Sequence, residues 1–421
     1  MFATFKQIFR ASNKDLKKRI LFTLGVLFIF ALGNSITIPG MDVINGDIGF
    51  LELFNALSGG GLKQFSIFAL GVMPYISASI IIQILQMDII PYFSELKEMG
   101  EEGRRKIAKI TRYMGLGIAF IQGIFYPMMF VGKTLEPTFY LQVALILTAG
   151  TAFLLWLGDQ ITQKGIGNGM SLIIMAGIIA TLPQMFITAF SSLVTFEGAA
   201  NVITLGIVKF VLFVIVYFAI IIGMIFVQES ERRIPIQYAN KSTSAYGNAQ
   251  SFMPIKINTA GVIPVIFASS LLSVPGIIAQ VIKNDTFTLI CQKYLNYTTP
   301  VGFLLYVIFI FFFAYFYTFI QVKPEEFAKN LQDNGGYIPG IRPGDETKKY
   351  ITSVLLKITT FGTLFLVVIA ALPILFQKFS NVGNTNISLG GTSLIIIVGV
   401  ALETFKQIES VVDQKEYKGR F

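Results

Sequence analysis

Two glycine-rich segments beside basic residues are the best candidates in this sequence for binding a phosphate group. Lys164-Gly-Ile-Gly-Asn-Gly169 has glycines at close spacing, but no strand precedes it and it lacks the lysine–hydroxyl pair of a phosphate-binding loop. Gly132-Lys133-Thr134 has that pair, but Pro127 stands where the motif needs its first glycine. Neither segment is therefore predicted to bind a nucleotide, and 158–169 is interpreted as a tight hairpin.

Other side chains that could do chemistry are scarce. The 421 residues contain no histidine, which removes the commonest metal ligand and the usual general base. The single cysteine, Cys291, cannot form a disulfide within the chain and is expected in an external loop. Since no acid–base pair or nucleophile–base set can be assembled inside the apolar segments, we expect no enzyme, no metal and no cofactor.

Uncharged segments long enough to cross a membrane account for most of the chain. Hydrophobic residues make up 54% of the sequence and the mean hydropathy is +0.68. A bilayer core of about 30 Å needs about 20 apolar residues in a helix. Ten segments without Asp, Glu, Lys or Arg are long enough, the last being the weakest: 20–38, 64–87, 113–132, 137–158, 165–196, 210–228, 257–282, 294–322, 358–377 and 379–402. No ionisable residue lies near the middle of the first nine, which disfavours an ion-coupled transporter.

The basic residues between these segments fall on alternate connections. Of the 33 Lys and Arg residues, all but six lie on the side of the N-terminus; the six are Lys63, Lys133, Lys209, Lys283, Lys293 and Lys378. The positive-inside rule makes that side cytoplasmic, with both termini inside. The net charge of +9 is interpreted as this topology signal together with attraction to anionic lipid. We therefore expect an all-α, multi-pass protein of a cytoplasmic (inner) membrane.

The ten predicted transmembrane helices divide into two sets of five. An odd-numbered repeat must be inverted in the membrane, which predicts a pseudo-twofold axis in the membrane plane. The N-terminal half is expected at 1–190 and the C-terminal half at 191–421. The C-terminal half contains the cytoplasmic loops 228–256 and 323–350.

The connection between the first two segments has an unusual composition. Phe50-Leu-Glu-Leu-Phe-Asn-Ala-Leu57 has apolar residues at helical spacing but covers only half a bilayer, and Gly59-Gly-Gly61 separates it from the next apolar segment. The pattern alone fits two interpretations equally: an external amphipathic turn lying on the membrane, or a short helix folded back into the protein. The second requires surrounding protein or a water-filled cavity, because non-helical backbone at membrane depth survives only there.

The loop 323–350 contains a dense run of turn residues around one arginine. Two proline–glycine turns flank Arg342 in Gly335-Gly-Tyr-Ile-Pro-Gly-Ile-Arg-Pro-Gly344. Pro343 favours an extended conformation at the preceding residue, which predicts a stiff loop that presents a cation to the cytoplasm. A solvated loop with an incidental charge is the alternative, but turn residues at this density favour a docking site.

Six motifs, in order along the chain, resemble those of the SecY family, the channel subunits of bacterial protein-translocation complexes. The resemblance covers essentially the whole chain, and each motif falls on the appropriate loop or helix end. The motifs are Ser66-Ile-Phe-Ala-Leu-Gly-Val-Met-Pro-Tyr-Ile-Ser-Ala-Ser79, Gly103-Arg-Arg-Lys-Ile107, Trp156-Leu-Gly-Asp-Gln-Ile161 with Gly165-Ile-Gly-Asn-Gly169, Ala260-Gly-Val-Ile-Pro264, Pro339-Gly-Ile-Arg-Pro-Gly344 and Gly390-Gly-Thr-Ser393.

The resemblance implies two halves, helices one to five and six to ten, hinged at the external connection between the fifth and sixth helices. It favours the second interpretation of the short helix, so that 53–68 would be the plug, a re-entrant half-helix that seals the resting channel. The implied plug residues are Leu53, Phe54, Asn55, Leu57, Gly59, Gly60, Gly61 and Phe65. A lateral gate would lie between the second and third helices and the seventh and eighth, with Gln122 and Asn258 as polar residues facing it.

The central constriction of this family is a ring of bulky aliphatic side chains. Carried over position by position, this pore ring falls on Val72, Ile76, Met170, Ile174, Ile266 and Ile396. A hydrophobic collar excludes water and ions by dewetting, and a deformable one can stretch around any passing side chain. Met170 and Val72 depart from the family's preference for isoleucine, and because methionine is flexible, a softer seal is expected.

The implied activity is the passage of unfolded preproteins across the membrane, with release of apolar segments sideways into lipid. The implied partners are the SecE and SecG subunits, the SecA motor ATPase, the ribosome, preprotein signal sequences and membrane lipids. The implied docking residues are Arg342, Arg232 and Arg233. The tip of the first docking loop, 240–251, is shorter and less basic than is usual in the family, a departure that bears on the strength of ribosome docking.

Two alternatives compete with this interpretation. A ten-helix solute transporter is disfavoured by the lack of charge within the membrane segments and by the order of the motifs. An accessory SecY paralogue that serves a few dedicated substrates is the closer alternative. Because such paralogues usually drift from the motif around Arg342, its retention here favours the general role.

Overall fold

Helices account for most of the computed structural model of this chain. The structure describes residues 14–41, 43–44, 52–86, 90–130, 136–194, 200–238, 251–282, 285–295, 299–380 and 390–418. In chain order, the helices are α1 (Lys14–Asn34), α2 (Glu52–Leu57), α3 (Met73–Leu85), α4 (Pro91–Glu98), α5 (Gly100–Phe130), α6 (Pro137–Lys164), α7 (Gly169–Leu193), α8 (Ala200–Glu229), α9 (Ile263–Ile282), α10 (Asp285–Ile290), α11 (Pro300–Gln321), α12 (Pro324–Asp333), α13 (Asp345–Ser380) and α14 (Gly390–Lys418). The strands are β1 (Glu231–Tyr238), β2 (Ser251–Lys256) and β3 (Gly336–Tyr337).

Several of these helices have the length and composition of membrane spans. Five described stretches qualify, and they lie in α6, in α7, in α8, in α11 together with α12, and in α13: Pro137–Lys164, Gly169–Leu193, Ile203–Glu229, Pro300–Asp333 and Asp345–Leu372. Met73–Leu85 and Ile263–Leu272 are shorter apolar helices. The structure therefore agrees with a polytopic helical protein, while the expected count of ten spans stays a prediction.

The second predicted membrane segment, 64–87, is not one continuous helix. Turns occupy most of 58–72, and α3 begins only at Met73, with Pro74 in its first turn. Proline is tolerated there because the N–H groups of the first turn have no partner within the helix. The 13 residues of α3 span about 20 Å at about 1.5 Å per residue, which is less than a bilayer core.

The chain divides into two compact units. The first comprises Met1–Ile203, Ile277–Asp285 and Val382–Phe421, and the second comprises Thr204–Gly276 and Thr286–Asn381. In the first unit, glycines allow α6 to lie close to both α5 and α7. A Cβ added at Gly123 of α5 would lie 3.0 Å from Ala144 Cα of α6. A Cβ added at Gly169 of α7 would lie 1.9 Å from the Gly158 carbonyl oxygen of α6. Small residues of this kind let helix backbones pack against each other within a membrane.

The second unit contains a three-stranded antiparallel sheet in the order β2-β1-β3. β1 pairs with β2 along its first six residues and with β3 along its last two. Alternate residues of a strand point to the same face, and Ile234 and Ile236 of β1 are buried on one face. They join a core cluster with Ile255, Leu331, Ile338, Ile351 and Leu355. The predicted all-α class is therefore wrong for the two predicted docking loops, which contain all three described strands.

Candidate functional site

The chain after α2 runs through turns to Val72. α2 has only six residues, and Gly59 and Gly60 follow it with φ of +74° and +84°. Residues with a Cβ rarely adopt this left-handed conformation, so these glycines redirect the chain. The predicted half-helix at 53–68 is therefore helical only as far as Leu57, because the glycines end it there.

Residues 52–72, named here the inner segment, are packed inside the first unit. Four of its large apolar side chains are at most 7% exposed: Phe54, Leu57, Leu62 and Phe65. Gly177 of α7 lies against it so closely that a Cβ there would be 2.7 Å from the Leu57 carbonyl oxygen. The side chain of Leu53 lies outside the described part of the structure. The packing is that expected for a segment folded into the protein, which was the second sequence interpretation.

Asn34 connects α1 to the inner segment. It is the last residue of α1 and is 8% exposed. Its Nδ2 donates a hydrogen bond to the Gly59 carbonyl oxygen at 2.7 Å, and its Oδ1 accepts one from Ser66 Oγ at 3.0 Å. Gly61 permits this approach, since a Cβ there would lie 2.2 Å from Oδ1. Asn34 is not among the residues that the sequence predicts to be functional, and its one signal there is an amide within an otherwise apolar segment.

Further hydrogen bonds fix the shape of the inner segment. An isolated antiparallel bridge joins Thr37 to Ser66. Asn55 Oδ1 accepts from the backbone N–H of Lys63 at 2.9 Å, which ties α2 to the turns that follow it. These bonds pair backbone groups that would be costly to bury unpaired.

A cavity of about 460 Å³ borders the inner segment. Its walls come from this segment, from the residues that follow α1, from α7 and from the start of α14. Its polar lining consists of Asn55, Lys63, Gln64, Thr181, Gln184, Thr188 and Ser393. Apolar residues such as Val43, Leu182 and Met185 line the rest of it, so the cavity next to the inner segment is of mixed polarity.

The six predicted pore-ring residues lie at or near the starts of four helices. They are Val72 and Ile76 at α3, Met170 and Ile174 on α7, Ile266 on α9 and Ile396 on α14. The first two pairs are each spaced by four residues, which places the members of a pair on one helix face. Ile76 and Met170 are half-buried, whereas the other four side chains are at most 9% exposed. Ile266 belongs to the second unit and the other five belong to the first.

The glycine-rich turn between α6 and α7 contacts two other helices of the first unit. The N–H of Ile166 donates to Thr23 Oγ1 of α1 at 3.1 Å, and the N–H of Gly167 donates to Gln407 Oε1 of α14 at 2.7 Å. Asn168 caps α7 by accepting from N–H groups of its first turn. The turn thus fixes the start of α7, where two of the predicted ring residues lie.

The two predicted gate residues have different local surroundings. Gln122 is half-buried on α5 of the first unit. Asn258 precedes α9 in the second unit, where its Nδ2 donates to the Gly261 carbonyl oxygen at 3.1 Å. Asn258 therefore stabilises the turn before α9, a role that the sequence did not indicate.

Arg232 and Arg233 are exposed on β1. Arg233 Nε lies 2.8 Å from Glu231 Oε1, and its guanidinium carbon lies 4.9 Å from the centre of the Phe252 ring. The ion pair and the cation–π contact orient the exposed Arg233 side chain on β1. The predicted tip of this loop, 240–251, lies outside the described residues except for its last position.

Arg342 is exposed in the turn between β3 and α13. Gly340 and Gly344, with φ of +82° and +95°, form the turns on either side. Thr347 Oγ1 donates to the Arg342 carbonyl oxygen at 2.9 Å, and Ile338 is buried in the core cluster of the sheet. Because β3 pairs with β1, one folded structure holds both predicted docking loops.

Cys291 begins a π-helical turn after α10. Its side chain is 1% exposed and its Sγ lies 3.7 Å from the Pro275 carbonyl oxygen, so the thiol is buried rather than displayed in an external loop. Within the described residues, no three His, Cys, Asp or Glu side chains converge as metal ligands would.

Comparison with solved structures defines the class of this fold. The structure described as that of a protein conducting channel is 18% identical and has a TM-score of 0.65, covering 94% of this chain and 92% of that one. Canine Sec61, in a ribosome-channel complex from the endoplasmic reticulum, is 17% identical, with a TM-score of 0.60 and coverage of 94% and 92%. The fold is thus that of membrane channels for proteins.

Sequence comparison identifies the family. The SecY family model matches residues 66–405. The protein translocase subunit SecY of Staphylococcus epidermidis is 45% identical over 434 residues, which cover 100% of this chain and 99% of that protein. The chain belongs to the SecY family, as its six motifs predicted, and is a multi-pass membrane protein.

Proposed function

We propose that this chain is the central protein-conducting channel of a bacterial translocase. It passes unfolded preproteins across the cytoplasmic membrane and releases apolar segments sideways into lipid. The observation that carries the proposal is the 45% identity to a SecY translocase subunit along the whole chain. The family membership favours this function over a ten-helix solute transporter.

The proposed topology has ten membrane helices in two inverted halves, 1–190 and 191–421, with both termini in the cytoplasm. Its support is the placement of all but six of the 33 Lys and Arg residues on one side of the membrane. In this topology the sheet β2-β1-β3 and the turn 165–169 lie on the cytoplasmic side. The inner segment lies towards the external side.

The proposed seal has two layers. The pore ring excludes water and ions because its six side chains are apolar, and it stretches around a passing chain because aliphatic groups rearrange readily. The inner segment acts as the plug, which covers the resting channel and moves aside when a substrate enters. The burial of its apolar side chains in the first unit supports a closed resting arrangement.

Gln122 and Asn258 are proposed to face the lateral gate, where a signal sequence leaves for the lipid. An amide at such a place can hydrogen-bond to a neighbouring helix at about 0.6 kcal/mol, the average for membrane proteins. The gate is then weak enough for an apolar segment to open. Asn258 already donates a hydrogen bond to Gly261, so this bond must either persist or be replaced by another when the gate opens.

Arg342, Arg232 and Arg233 are proposed to dock the cytoplasmic partners. These are the SecA motor ATPase and the ribosome, and they supply the energy that a channel without a nucleotide site needs. SecE and SecG are the proposed companion subunits. Two observations support this docking role. All three arginines are exposed, and both docking loops belong to one sheet that has its own hydrophobic core.

A test of the function uses the purified complex in proteoliposomes. Mass spectrometry of proteins that co-purify in mild detergent first identifies the companion subunits, and a small SecE-like subunit is expected. Vesicles containing the complex, SecA, ATP and an unfolded preprotein should then protect the preprotein from added protease, whereas vesicles lacking this chain should not. Protection that does not depend on this chain would refute the channel function.

A second experiment separates the general channel from an accessory paralogue. Depletion of the chain in cells should cause many preproteins to accumulate with uncleaved signal sequences. Accumulation of only a few species, together with the absence of a SecE-like subunit, would favour the paralogue.

A further inference from the structure

One buried side chain makes two of the hydrogen bonds that hold the inner segment against α1. Asn34 is 8% exposed, and both ends of its amide are used: Nδ2 donates to Gly59 at 2.7 Å and Oδ1 accepts from Ser66 at 3.0 Å. Ser66 is fully buried at 0% exposure. The two partners stand on either side of Gly61, so the amide spans the turn between them.

The surroundings of Asn34 are built for this contact. A Cβ at Gly61 would lie 2.2 Å from Asn34 Oδ1, and one at Gly59 would lie 2.9 Å from Asn34 Nδ2. Only glycine leaves room for the amide at these two positions. On the other side of the turn, a Cβ at Gly177 of α7 would lie 3.0 Å from the Gly59 nitrogen. The turn is therefore packed tightly between α1 and α7, without room for a Cβ at these glycines.

Displacement of the inner segment must separate Asn34 from both partners. A buried amide that loses its partners without gaining water is strongly disfavoured, and the same holds for the Gly59 carbonyl and the Ser66 hydroxyl. The bonds therefore favour the closed arrangement and are lost in any arrangement that carries Gly59 and Ser66 away from α1.

We propose that Asn34 is a polar latch, a positioning residue whose two hydrogen bonds keep the inner segment closed until a substrate arrives. The inference rests on the proposed function, in which that segment is the plug. According to this proposal, the free energy needed to displace the inner segment depends on the Asn34 amide of α1 as well as on apolar packing. Weakening the latch should raise the fraction of channels that are open without substrate.

A cysteine reporter measures this fraction. Ser58 is 1% exposed in the inner segment, and Ser58→Cys changes its size little, so the introduced thiol should react slowly with a small soluble maleimide in resting channels. Cys291 is equally buried at 1% and belongs to the second unit, so its labelling reports unfolding rather than plug movement. Peptide mapping after labelling distinguishes the two thiols.

Asn34→Ala in the Ser58→Cys background should increase the resting labelling rate of the introduced thiol several-fold, with Cys291 unlabelled. Ser35→Ala is the matched control, because Ser35 directly follows α1, is exposed, and donates its hydroxyl hydrogen bond to Ala31 of α1 rather than to the inner segment. It should leave the labelling rate unchanged. An unchanged rate for Asn34→Ala, or an equal increase for Ser35→Ala, would overturn the latch.

Ser66→Ala provides a second test that does not depend on the stability of the Asn34 variant. It removes one of the two bonds with almost no change in volume, so a smaller increase in labelling is expected. The double variant should label no faster than Asn34→Ala alone, because the lost Ser66 bond is already absent there. Additive effects on the logarithm of the rate, or no effect of Ser66→Ala, would contradict the proposal.

The same reporter distinguishes failure of the latch from failure of the proposed function. A preprotein jammed in the channel should raise labelling of the introduced thiol whether or not Asn34 is present. If jamming has no effect, the inner segment is not a moving plug and the proposed function loses this element. If jamming raises labelling but Asn34→Ala does not, only the latch is refuted.

Discussion

The side-chain oxygen of Gln407 accepts a hydrogen bond from the backbone N–H of Gly167 at 2.7 Å, although 240 positions separate the two residues. Gly167 has φ of +87°, and a Cβ there would lie 3.1 Å from Thr404 Oγ1, one turn before Gln407. The glycine thus lets the turn between α6 and α7 approach α14. This contact joins two helices on which predicted pore-ring residues lie, α7 and α14.

Gln407→Leu should lower the free energy of unfolding by about 1–3 kcal/mol, because it leaves the buried N–H of Gly167 without its acceptor. Thermal unfolding of the purified complex in detergent measures this change. Gln407→Glu keeps an oxygen at the same place and should be less destabilising. Equal losses for the two variants would show that the hydrogen bond is not the cause.

Replacing Ile76, Ile174 and Ile266 together by serine should hydrate the proposed constriction and raise ion leak several-fold, since hydroxyl groups retain water where aliphatic groups exclude it. Conductance of proteoliposomes is the measurement. The matched control replaces Ile81, Ile179 and Leu271 by serine, because these lie on the same three helices but are 41–45% exposed. Unchanged conductance in the first variant, or equal leak in both, would remove the three isoleucines from the seal.

Arg342→Glu should abolish SecA-driven transport of a preprotein into vesicles, while the amount of folded channel stays normal. The fold should persist because Thr347 bonds to the backbone of Arg342 and the side chain is exposed. Arg342→Lys should be partly active, since lysine keeps the charge but not the planar, forked donors of arginine. Because the tip 240–251 has few basic residues, Arg342 should matter more here than in relatives with a basic tip.

The control for Arg342 is Lys349→Glu, an equal reversal of charge at an exposed position near the start of α13. It should retain most transport if docking depends on the preorganised loop rather than on general positive charge. Normal transport by Arg342→Glu at normal protein levels would refute the docking role.

Two glycines of α5 should respond to alanine in opposite ways. A Cβ at Gly117 meets no atom within 4 Å, so Gly117→Ala should stabilise the helix by up to about 1 kcal/mol. A Cβ at Gly123 would lie 3.0 Å from Ala144 Cα, so Gly123→Ala should force α5 and α6 apart and cost about 1–3 kcal/mol. Thermal unfolding of both variants is the test, and the same sign of change in both would contradict the packing explanation.

Patterns in the sequence were enough to predict a multi-pass membrane protein and its family. Long uncharged segments such as 137–158 and 165–196 became α6 and α7, because an apolar run of that length satisfies its backbone hydrogen bonds as a helix. The six motifs identified the SecY family, which the comparisons confirmed. The glycines after Leu57 also indicated where the short helix would end, since they favour a conformation that ends a helix.

Contacts between residues that are distant in sequence could be identified only from the folded chain. The strands of the docking loops form because Ile234 and Ile236 can bury one face against α12 and α13, which no local pattern in a polar loop specifies. The contacts of Asn34 with Gly59 and Ser66, and of Gln407 with Gly167, likewise depend on how the helices pack. An amide has the same chemistry on any helix, and only the packed structure determines which donor and acceptor it pairs with.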